Sequence, residues 1–309
     1  MSILVDKNTK VLIQGITGKE GGRAAREMMA YGTKVLAGVT PGKGGMKTEE
    51  GIPVFNTVAE ALEKFPKINA TLIAVPAPFV LDAALEAMWP TSSGNRISLI
   101  NILTEKVPVA SVATMIRYAS YFKVKIVGPS SVGILSPGKA KIGSIGSGDI
   151  ASRIFLSGSV GVISKSGGMT AEISKILTEA KLGQSTVVGI GGDLLIGSDF
   201  VDIALKFEKD RQTRALVIFG EVGGTYEEKL AEAITKRQIT KPVVALIAGR
   251  FSEKLPQDTV LGHAGAIVSK GKGSALSKIN ALKKAGALIA NTPEQIPNLV
   301  KHAIQNKDK

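Results

Sequence analysis

One of the few histidines of this sequence lies in a glycine-flanked segment, where its side chain could react. The chain of 309 residues contains two histidines, and His263 lies in the segment LGHAGAIVSK, between a glycine and an Ala-Gly pair. This segment lacks the period of a packed helix or strand, which predicts a glycine-flanked loop. An imidazole in such a loop suits proton transfer or nucleophilic attack, although a lone histidine is more often structural or solvated.

A carboxylate follows a buried strand pattern earlier in the same half of the chain. Glu221 comes directly after ALVIFG (215–220) and opens the turn EVGG. Ligand clefts of open α/β sheets lie at the carboxyl ends of strands, so this side chain is expected in a cleft. There it could accept a hydrogen bond from one nitrogen of His263 and leave the other nitrogen as a nucleophile. A surface acid in an ordinary turn is the alternative.

Two glycine-rich turns open predicted helices and are suited to bind anions. They are GITGKEG (15–21) and SKSGGMT (164–170). A helix N-terminus offers free N–H groups and the positive end of a dipole, which favour phosphate. The first turn lacks the spacing of a dinucleotide site, and Lys43 occupies the region where such a site needs an acid. Lys43 suits a ligand with an extra phosphate, and an ordinary βα turn is the alternative.

The elements that would position these loops form two series of alternating strands and helices. The series begin with KVLIQ (10–14) and SVGVIS (159–164). Short apolar strands between helices predict parallel sheets that are covered on both faces. The stretch 136–149 is rich in Gly, Ser and Lys and has no period. We therefore expect an α/β chain with one domain at 1–140 and another at 150–309.

Composition narrows the classes of partner. The net charge is +13 and there is no cysteine, which excludes disulfides and thiolate metal sites. No cluster of His, Asp or Glu has metal-ligand spacing, so we assign no metal ligand to this chain. Aromatic residues are scarce and the basic residues are dispersed, which disfavours nucleic acid. The sequence shows neither a membrane-spanning run nor a signal peptide, which predicts a cytoplasmic protein without a membrane partner.

Six motifs in order resemble the α subunits of the NDP-forming acyl-CoA synthetases, a family that includes succinyl-CoA synthetases and ATP-citrate lyases. The motifs are TGKEG, TPGKGG, VPAPF, IGGD, GEVGG and GHAGAI. The resemblance runs from about Met1 to Ile304. It implies a Rossmann-like CoA-binding domain followed by a flavodoxin-like ligase domain with a parallel sheet. It also implies that ATP and Mg²⁺ are bound mainly by a β subunit with an ATP-grasp fold, in an αβ or (αβ)₂ assembly.

The same resemblance implies roles for individual residues. His263 would carry a phosphoryl group during turnover and Glu221 would position it. Coenzyme A, a substrate, would be contacted by Thr17, Gly18, Lys19, Glu20, Lys43, Leu103, Thr104 and Glu105. This distribution accounts for the absence of a GxxxxGK[ST] phosphate loop from the sequence, because the nucleotide would lie on the partner.

Two loops resemble ATP-citrate lyases more than succinyl-CoA synthetases. Where succinyl-CoA synthetases typically have GPNCPG and SRSGTLTYE, this chain has GPSSVG (128–133) and SKSGGMTAE (164–172). Gly168 and Ala171 stand where the succinyl-CoA synthetase motif has threonine and tyrosine. These smaller residues would admit an acid larger than succinate. We therefore expect a citrate–CoA ligase that forms citryl-CoA, with a succinyl-CoA synthetase α subunit as the alternative. The acid would be contacted by Ser130, Ser131, Ser166, Gly167 and Gly168.

Two other classes of protein remain as alternatives. A non-catalytic module that binds CoA or a nucleotide would use the first half of the chain and would not need the His263 and Glu221 motifs. An NAD(P) oxidoreductase would share a Rossmann-like first half, but the glycine spacing and the missing ribose acid weigh against it.

Overall fold

The computed structural model describes residues 2–146, 148, 150–250 and 273–307, which form two β-sheets flanked by helices. The strands of the first sheet are β1 (Lys10–Gln14), β2 (Lys34–Val39), β3 (Val54–Phe55), β4 (Ala70–Ile73), β5 (Leu99–Ile102) and β6 (Lys125–Val127). They are parallel and lie in the order β3-β2-β1-β4-β5-β6. The strand order reverses between β1 and β4, so a crevice opens there at the carboxyl ends of the strands.

The helices of the first half begin in different ways. They are α1 (Lys19–Ala30), α2 (Val58–Lys64), α3 (Val80–Met88) and α4 (Val109–Phe122). At α2, the hydroxyl of Thr57 accepts a hydrogen bond from the N–H of Glu60 at 3.1 Å. At α1, Gly18 occupies the corresponding position and no side chain caps the helix. The first-turn N–H groups of α1 are therefore left without a side-chain acceptor.

The second sheet is mixed. Its strands are β7 (Gly133–Ser136), β8 (Ala140–Ile142), β9 (Ser157–Ser164), β10 (Gln184–Gly189), β11 (Ala215–Glu221), β12 (Val243–Ala248) and β13 (Leu288–Ala290). The order is β13-β12-β11-β9-β10-β7-β8. Strands β9 to β13 pair in parallel, whereas β7 pairs antiparallel with both β10 and β8.

The antiparallel edge corrects the expectation of a wholly parallel ligase-domain sheet. The pair Pro137–Gly138 turns the chain between β7 and β8, and the N–H of Lys139 donates to the carbonyl of Ser136 at 3.0 Å. A connection this short joins only antiparallel strands. Gly138 has a φ of +69°, the conformation that the third residue of a type II turn requires. The stretch 136–149, which the sequence suggests is aperiodic, thus contributes strand residues.

The helices of the second half cover the mixed sheet. They are α5 (Ile150–Ile154), α6 (Gly167–Glu179), α7 (Phe200–Lys209), α8 (Tyr226–Thr235), α9 (Ala275–Lys284) and α10 (Ile296–Lys307). Within the described residues, no helix has both the length and the apolar character that crossing a membrane requires. The α/β architecture with two sheets agrees with the fold class expected from the sequence.

The two halves pack directly against each other. The hydroxyl of Ser198 donates to the carbonyl of Ile126 at 2.6 Å, and the N–H of Gly197 donates to the carbonyl of Gly128 at 2.8 Å. One apolar cluster contains buried residues of both sheets. The chain passes from the first sheet to the second between β6 and β7, before the 140–150 region where the sequence suggests a domain boundary. That boundary stays a prediction.

Candidate functional site

A cavity of about 710 Å³ occupies the crevice between β1 and β4. Its walls come from the turn after β1, the end of β2 and the chain that follows β4, and they include Gly15, Thr17, Thr40, Val75, Phe79 and Glu86. Burial raises the pKa of the Glu86 carboxyl, although the N–H of Val58 donates to it at 2.8 Å and opposes the shift. The cavity is large enough for part of a nucleotide-like ligand.

The glycines of the turn after β1 are required by close contacts. Gly15 has a φ of +81°, and a Cβ placed on it would lie 2.8 Å from the carbonyl oxygen of Ala74. A Cβ on Gly21 would overlap the carbonyl oxygen of Gly15. The turn is therefore packed tightly against the first turn of α1 and against the chain after β4.

Lys43 and Thr17 lie 26 positions apart in the sequence and meet at the mouth of this cavity. The ammonium of Lys43 donates to the hydroxyl of Thr17 at 3.3 Å. The carbonyl oxygen of the Asn56 side chain holds the Lys43 loop in place, because it accepts the N–H groups of Gly42 at 2.9 Å and Gly44 at 3.0 Å. Sequence reasoning missed Asn56, although its position directly after a strand pattern was a usable signal.

The first turn of α1 presents charged side chains beside this mouth. Lys19 and Glu20 are exposed, as are Thr17 and Gly18. The guanidinium of Arg23 lies 2.7 Å from the Glu20 carboxylate, and this hydrogen bond lowers the pKa of Glu20. The residues assigned to coenzyme A from TGKEG and Lys43 are thus brought together by the structure.

The segment after β5 links this cavity to the second half of the chain. The hydroxyl of Thr104 donates to the carbonyl of Val75, in the cavity wall, at 2.6 Å. The carbonyl of Thr104 accepts the N–H of Ser130 at 2.9 Å. Leu103 is half-buried and Glu105 is exposed. The residues assigned to coenzyme A and those assigned to the acid therefore meet at the contact between Thr104 and Ser130.

Ser131 is a buried junction between three segments. Its hydroxyl donates to the carbonyl of Gly189 at 2.6 Å and accepts from the Asn101 amide at 2.7 Å and from the N–H of Gly133 at 3.0 Å. The residue is 0% exposed. Its contact with an acid stays a prediction, which this burial disfavours. Ser130, in contrast, is half-buried and has a φ of +59°.

The loop 128–133 and the start of α6 are packed together by Val132. A Cβ on Gly167 would overlap a Val132 methyl group, and one on Gly189 would lie 2.6 Å from the other methyl group. Ser166 caps α6, since its hydroxyl accepts the N–H of Met169 at 3.4 Å. Among the described residues, a Cβ on Gly168 would meet no atom within 4 Å. In the part of the chain that the structure describes, nothing covers Gly168. That this position leaves room for a larger acid stays a prediction.

Glu221 is the last residue of β11 and is half-buried. The loop after it contacts the described residues on both sides of 251–272. The N–H of Gly223 donates to the carbonyl of Gly273 at 2.8 Å, and a Cβ on Gly249 would lie 2.7 Å from a Val222 methyl group. His263 falls within 251–272, outside the described residues. The two described ends of that segment therefore flank the loop that carries Glu221.

A buried ionic cluster lies beneath the same loop and was missed by sequence reasoning. The carboxylate of Glu227 pairs with Lys278 and with Lys165, whose ammonium lies 3.3 Å away. Lys278 and Glu227 are both 0% exposed. Desolvation lowers the pKa of Lys278, and the Glu227 carboxylate opposes that shift. The signal was present, because Lys278 and Glu227 occupy apolar-face positions of α9 and α8 at helical spacing.

No group of three or more His, Cys, Asp or Glu side chains is arranged to hold a metal ion in the part of the chain that the structure describes. The arrangement instead offers backbone N–H groups at two helix starts and ammonium groups near them. Such groups stabilise phosphate and developing negative charge.

Comparison with known proteins places the chain in a family. Residues 6–104 match the CoA binding domain family and residues 163–288 match the CoA-ligase family. The ADP-forming succinate–CoA ligase subunit α of Aquifex aeolicus is 47% identical over 302 residues, which are 97% of this chain and 94% of that protein. The chain belongs to the NDP-forming acyl-CoA synthetase family. A second relative of the chain, subunit alpha 2 of the Archaeoglobus fulgidus ADP-forming succinate–CoA ligase, is 45% identical over 97% of the chain and 99% of the relative.

A solved structure shares the fold of this chain. It is the ATP citrate lyase of Methanothrix soehngenii in complex with citrate and coenzyme A, with a TM-score of 0.89 and 27% identity. The match covers 98% of this chain and 51% of that chain. The family assignment made from the six motifs is therefore confirmed, and coenzyme A is its expected substrate.

Proposed function

We propose that this chain is the α subunit of an ADP-forming succinate–CoA ligase, which joins succinate to the thiol of coenzyme A. The observation that carries this proposal is the identity of 47% to such a subunit over 97% of the chain. It favours succinate, the alternative of the sequence analysis, over citrate. The partner is a β subunit that binds ATP and Mg²⁺, in an αβ or (αβ)₂ assembly. A cytoplasmic location stays a prediction.

Coenzyme A is proposed to bind along the first cavity and the segment after β5. Its phosphates suit the uncapped first turn of α1, which begins with Lys19, together with Lys43, whose ammonium donates to Thr17 of the cavity wall. From there the bridge made by Thr104 leads from the cavity wall to Ser130. A ligand that follows this bridge carries its thiol toward the start of α6.

The chemistry follows from the low reactivity of a carboxylate. A thiol does not displace oxide from a carboxylate carbon, so the acid must first become an acyl phosphate. We propose that His263 takes the γ-phosphoryl group of ATP and releases ADP, and that an oxygen of the succinate carboxylate then attacks this phosphorus and frees the imidazole. The thiol of coenzyme A attacks the acyl carbon, loses its proton and expels inorganic phosphate. The products are succinyl-CoA, ADP and phosphate.

The described residues suit the charge that develops in these steps. The amides at the start of α6, with Ser166, Gly167 and Gly168, are proposed to hold the transferring phosphoryl group and the acid. Glu221 is proposed to accept a hydrogen bond from one nitrogen of His263, so that the other nitrogen is the nucleophile. Its loop lies between the described ends of 251–272, which supports this role.

Citrate is the second candidate acid, and a specific observation favours it. A Cβ on Gly168 would meet no atom of the described residues within 4 Å, which supports room beside α6 for a larger acid. The fold neighbour that binds citrate, at 27% identity, is consistent with this alternative.

A coupled assay of the αβ complex decides between the two acids. ADP and thioester formation are measured with ATP, Mg²⁺ and coenzyme A, with succinate or citrate as the acid. We expect kcat/KM for succinate to exceed that for citrate by about tenfold or more, the usual scale for a misfit in a shaped pocket. A preference for citrate would transfer the proposal to a citrate–CoA ligase, and no thioester with either acid would refute both.

A further inference from the structure

The buried cluster of Lys165, Glu227 and Lys278 lies beneath the loop 220–224. It contacts both segments that are proposed to take part in phosphoryl transfer, the start of α6 and the loop with Glu221. Lys165 directly precedes Ser166, which caps α6. Its ammonium lies 3.3 Å from the Glu227 carboxylate and 3.4 Å from the carbonyl oxygen of Gly223. The side chain of Lys165 thus connects the start of α6 to the loop that follows Glu221.

The Glu227 carboxylate also fixes the backbone of Glu221. One of its oxygens accepts the N–H of Glu221 at 3.2 Å. The same oxygen lies so close to Gly220 that a Cβ there would be 2.6 Å from it. A residue with a side chain at position 220 would push this carboxylate away, so the glycine is part of the arrangement.

Lys278 completes the cluster from α9. Its ammonium pairs with Glu227 and donates to the carbonyl of Gly223 at 2.8 Å. The carbonyl of Gly223 therefore accepts from both lysines, and the N–H of the same residue donates to Gly273. One buried carboxylate and two buried ammonium groups hold the start of α6, the loop with Glu221 and the start of α9 in one arrangement.

We propose that Lys165 is a positioning residue for phosphoryl transfer, which acts through Glu227 and Gly223 to hold Glu221 at a fixed place relative to the first turn of α6. This inference rests on the proposed function. Lys165 is 7% exposed, and its ammonium contacts the protein groups Glu227 and Gly223. A third described contact of the ammonium, with the ring of Tyr226 at 5.6 Å, is also with a protein group. Lys165 therefore acts by fixing geometry and need not touch a ligand. Displacement of a catalytic group by about 1 Å costs on the order of 100-fold in rate, so a link of this kind is expected to affect the rate strongly.

The test variant is Lys165→Met in the complete αβ complex. Methionine has nearly the length of lysine, and Glu227 keeps its pairing with Lys278, so the buried carboxylate is not left without a cation. Lys175→Met is the matched control, because Lys175 is exposed on the same helix. Lys165→Arg restores a cation and is the rescue variant.

The readouts separate positioning from folding. The rate of phosphoenzyme formation from ATP should fall about tenfold or more in Lys165→Met, whereas KM for coenzyme A should not change, because that site lies in the first half of the chain. The control should match the wild type and Lys165→Arg should recover part of the rate. Rates are divided by the folded fraction measured by circular dichroism, so that a loss of folded protein is not counted as a loss of rate.

The outcomes distinguish this inference from the proposed function. If the wild-type complex takes no phosphate from ATP, the proposed function fails. If the wild type is phosphorylated and Lys165→Met is phosphorylated as fast, the inference is overturned while the function stands. If Lys165→Met does not fold, Lys165→Gln replaces it under the same criteria, since its polar amide removes the cation that pairs with Glu227 and is tolerated better beside buried polar groups. Failure of both variants to fold would assign Lys165 to folding and overturn the inference.

Discussion

Replacement of Ser131 by alanine separates a structural role from a substrate role at a residue that the sequence analysis assigned to the acid. The hydroxyl makes three buried hydrogen bonds, with Gly189, Asn101 and Gly133. At about 1 kcal/mol for each bond, the free energy of unfolding should fall by about 3 kcal/mol. For a domain of this size the melting temperature should fall by about 6 to 12 °C, at roughly 2 to 4 °C per kcal/mol.

Ser136→Ala is the matched control for this prediction. Ser136 is equally buried and lies on the neighbouring strand β7, but its hydroxyl has a single described side-chain contact, with Thr186 at 3.1 Å. It should lose about 1 kcal/mol. Both variants are measured by urea and thermal unfolding, and KM for the acid is measured in the αβ complex. If Ser131→Ala is no less stable than Ser136→Ala and its KM for the acid rises, the hydroxyl serves the substrate and the structural reasoning is wrong.

Two further predictions concern charged side chains. Lys43→Met should raise KM for coenzyme A by about tenfold, since a charge-assisted hydrogen bond contributes about 1.5 kcal/mol or more. Lys34→Met, at the opposite end of β2, is the control. An unchanged KM in Lys43→Met would exclude a contact between Lys43 and coenzyme A. Desolvation lowers the pKa of Lys141 below its ordinary 10.5, so the unfolded state holds this proton more tightly. The lysine should therefore make the free energy of unfolding rise with pH between its lowered native value and 10.5. Lys141→Met leaves Glu27 paired with Arg23 at 3.3 Å and should show a smaller rise in urea unfolding at alkaline pH; an identical pH dependence would contradict this cause.

The strand and helix pattern of this chain could be predicted because its periodicities are local. The helix Val58–Lys64 and the strand Lys10–Gln14 follow directly from their apolar spacing. The antiparallel hairpin after Gly133 could not be predicted from period alone, since its strands have four and three residues. Its Pro137–Gly138 turn was visible, but a Pro-Gly pair is typical of a linker as well as of a hairpin.

Some contacts of the candidate site could likewise be predicted from the sequence, and others could not. The family resemblance assigned Lys43 and Thr17 to one ligand, coenzyme A, and the structure brings them together. Both follow strands of a parallel sheet, whose strand-end loops lie at the same edge. The junction at Ser131 and the cluster of Lys165, Glu227 and Lys278 depend on contacts between residues distant in sequence. No sequence pattern specifies such contacts. Lysine or glutamate at a core position of a helix indicates only that a buried partner must exist.

The central claim is that the imidazole of His263 carries a phosphoryl group from ATP to an acid. The most direct test incubates the αβ complex with ATP labelled at the γ-phosphate and measures phosphate on this chain that is labile to acid and stable to base. The wild type should be labelled, the label should leave on addition of succinate and coenzyme A, and His263→Asn should take no label. His302→Asn, which changes the other histidine, should be labelled like the wild type. Labelling that persists in His263→Asn would contradict the account.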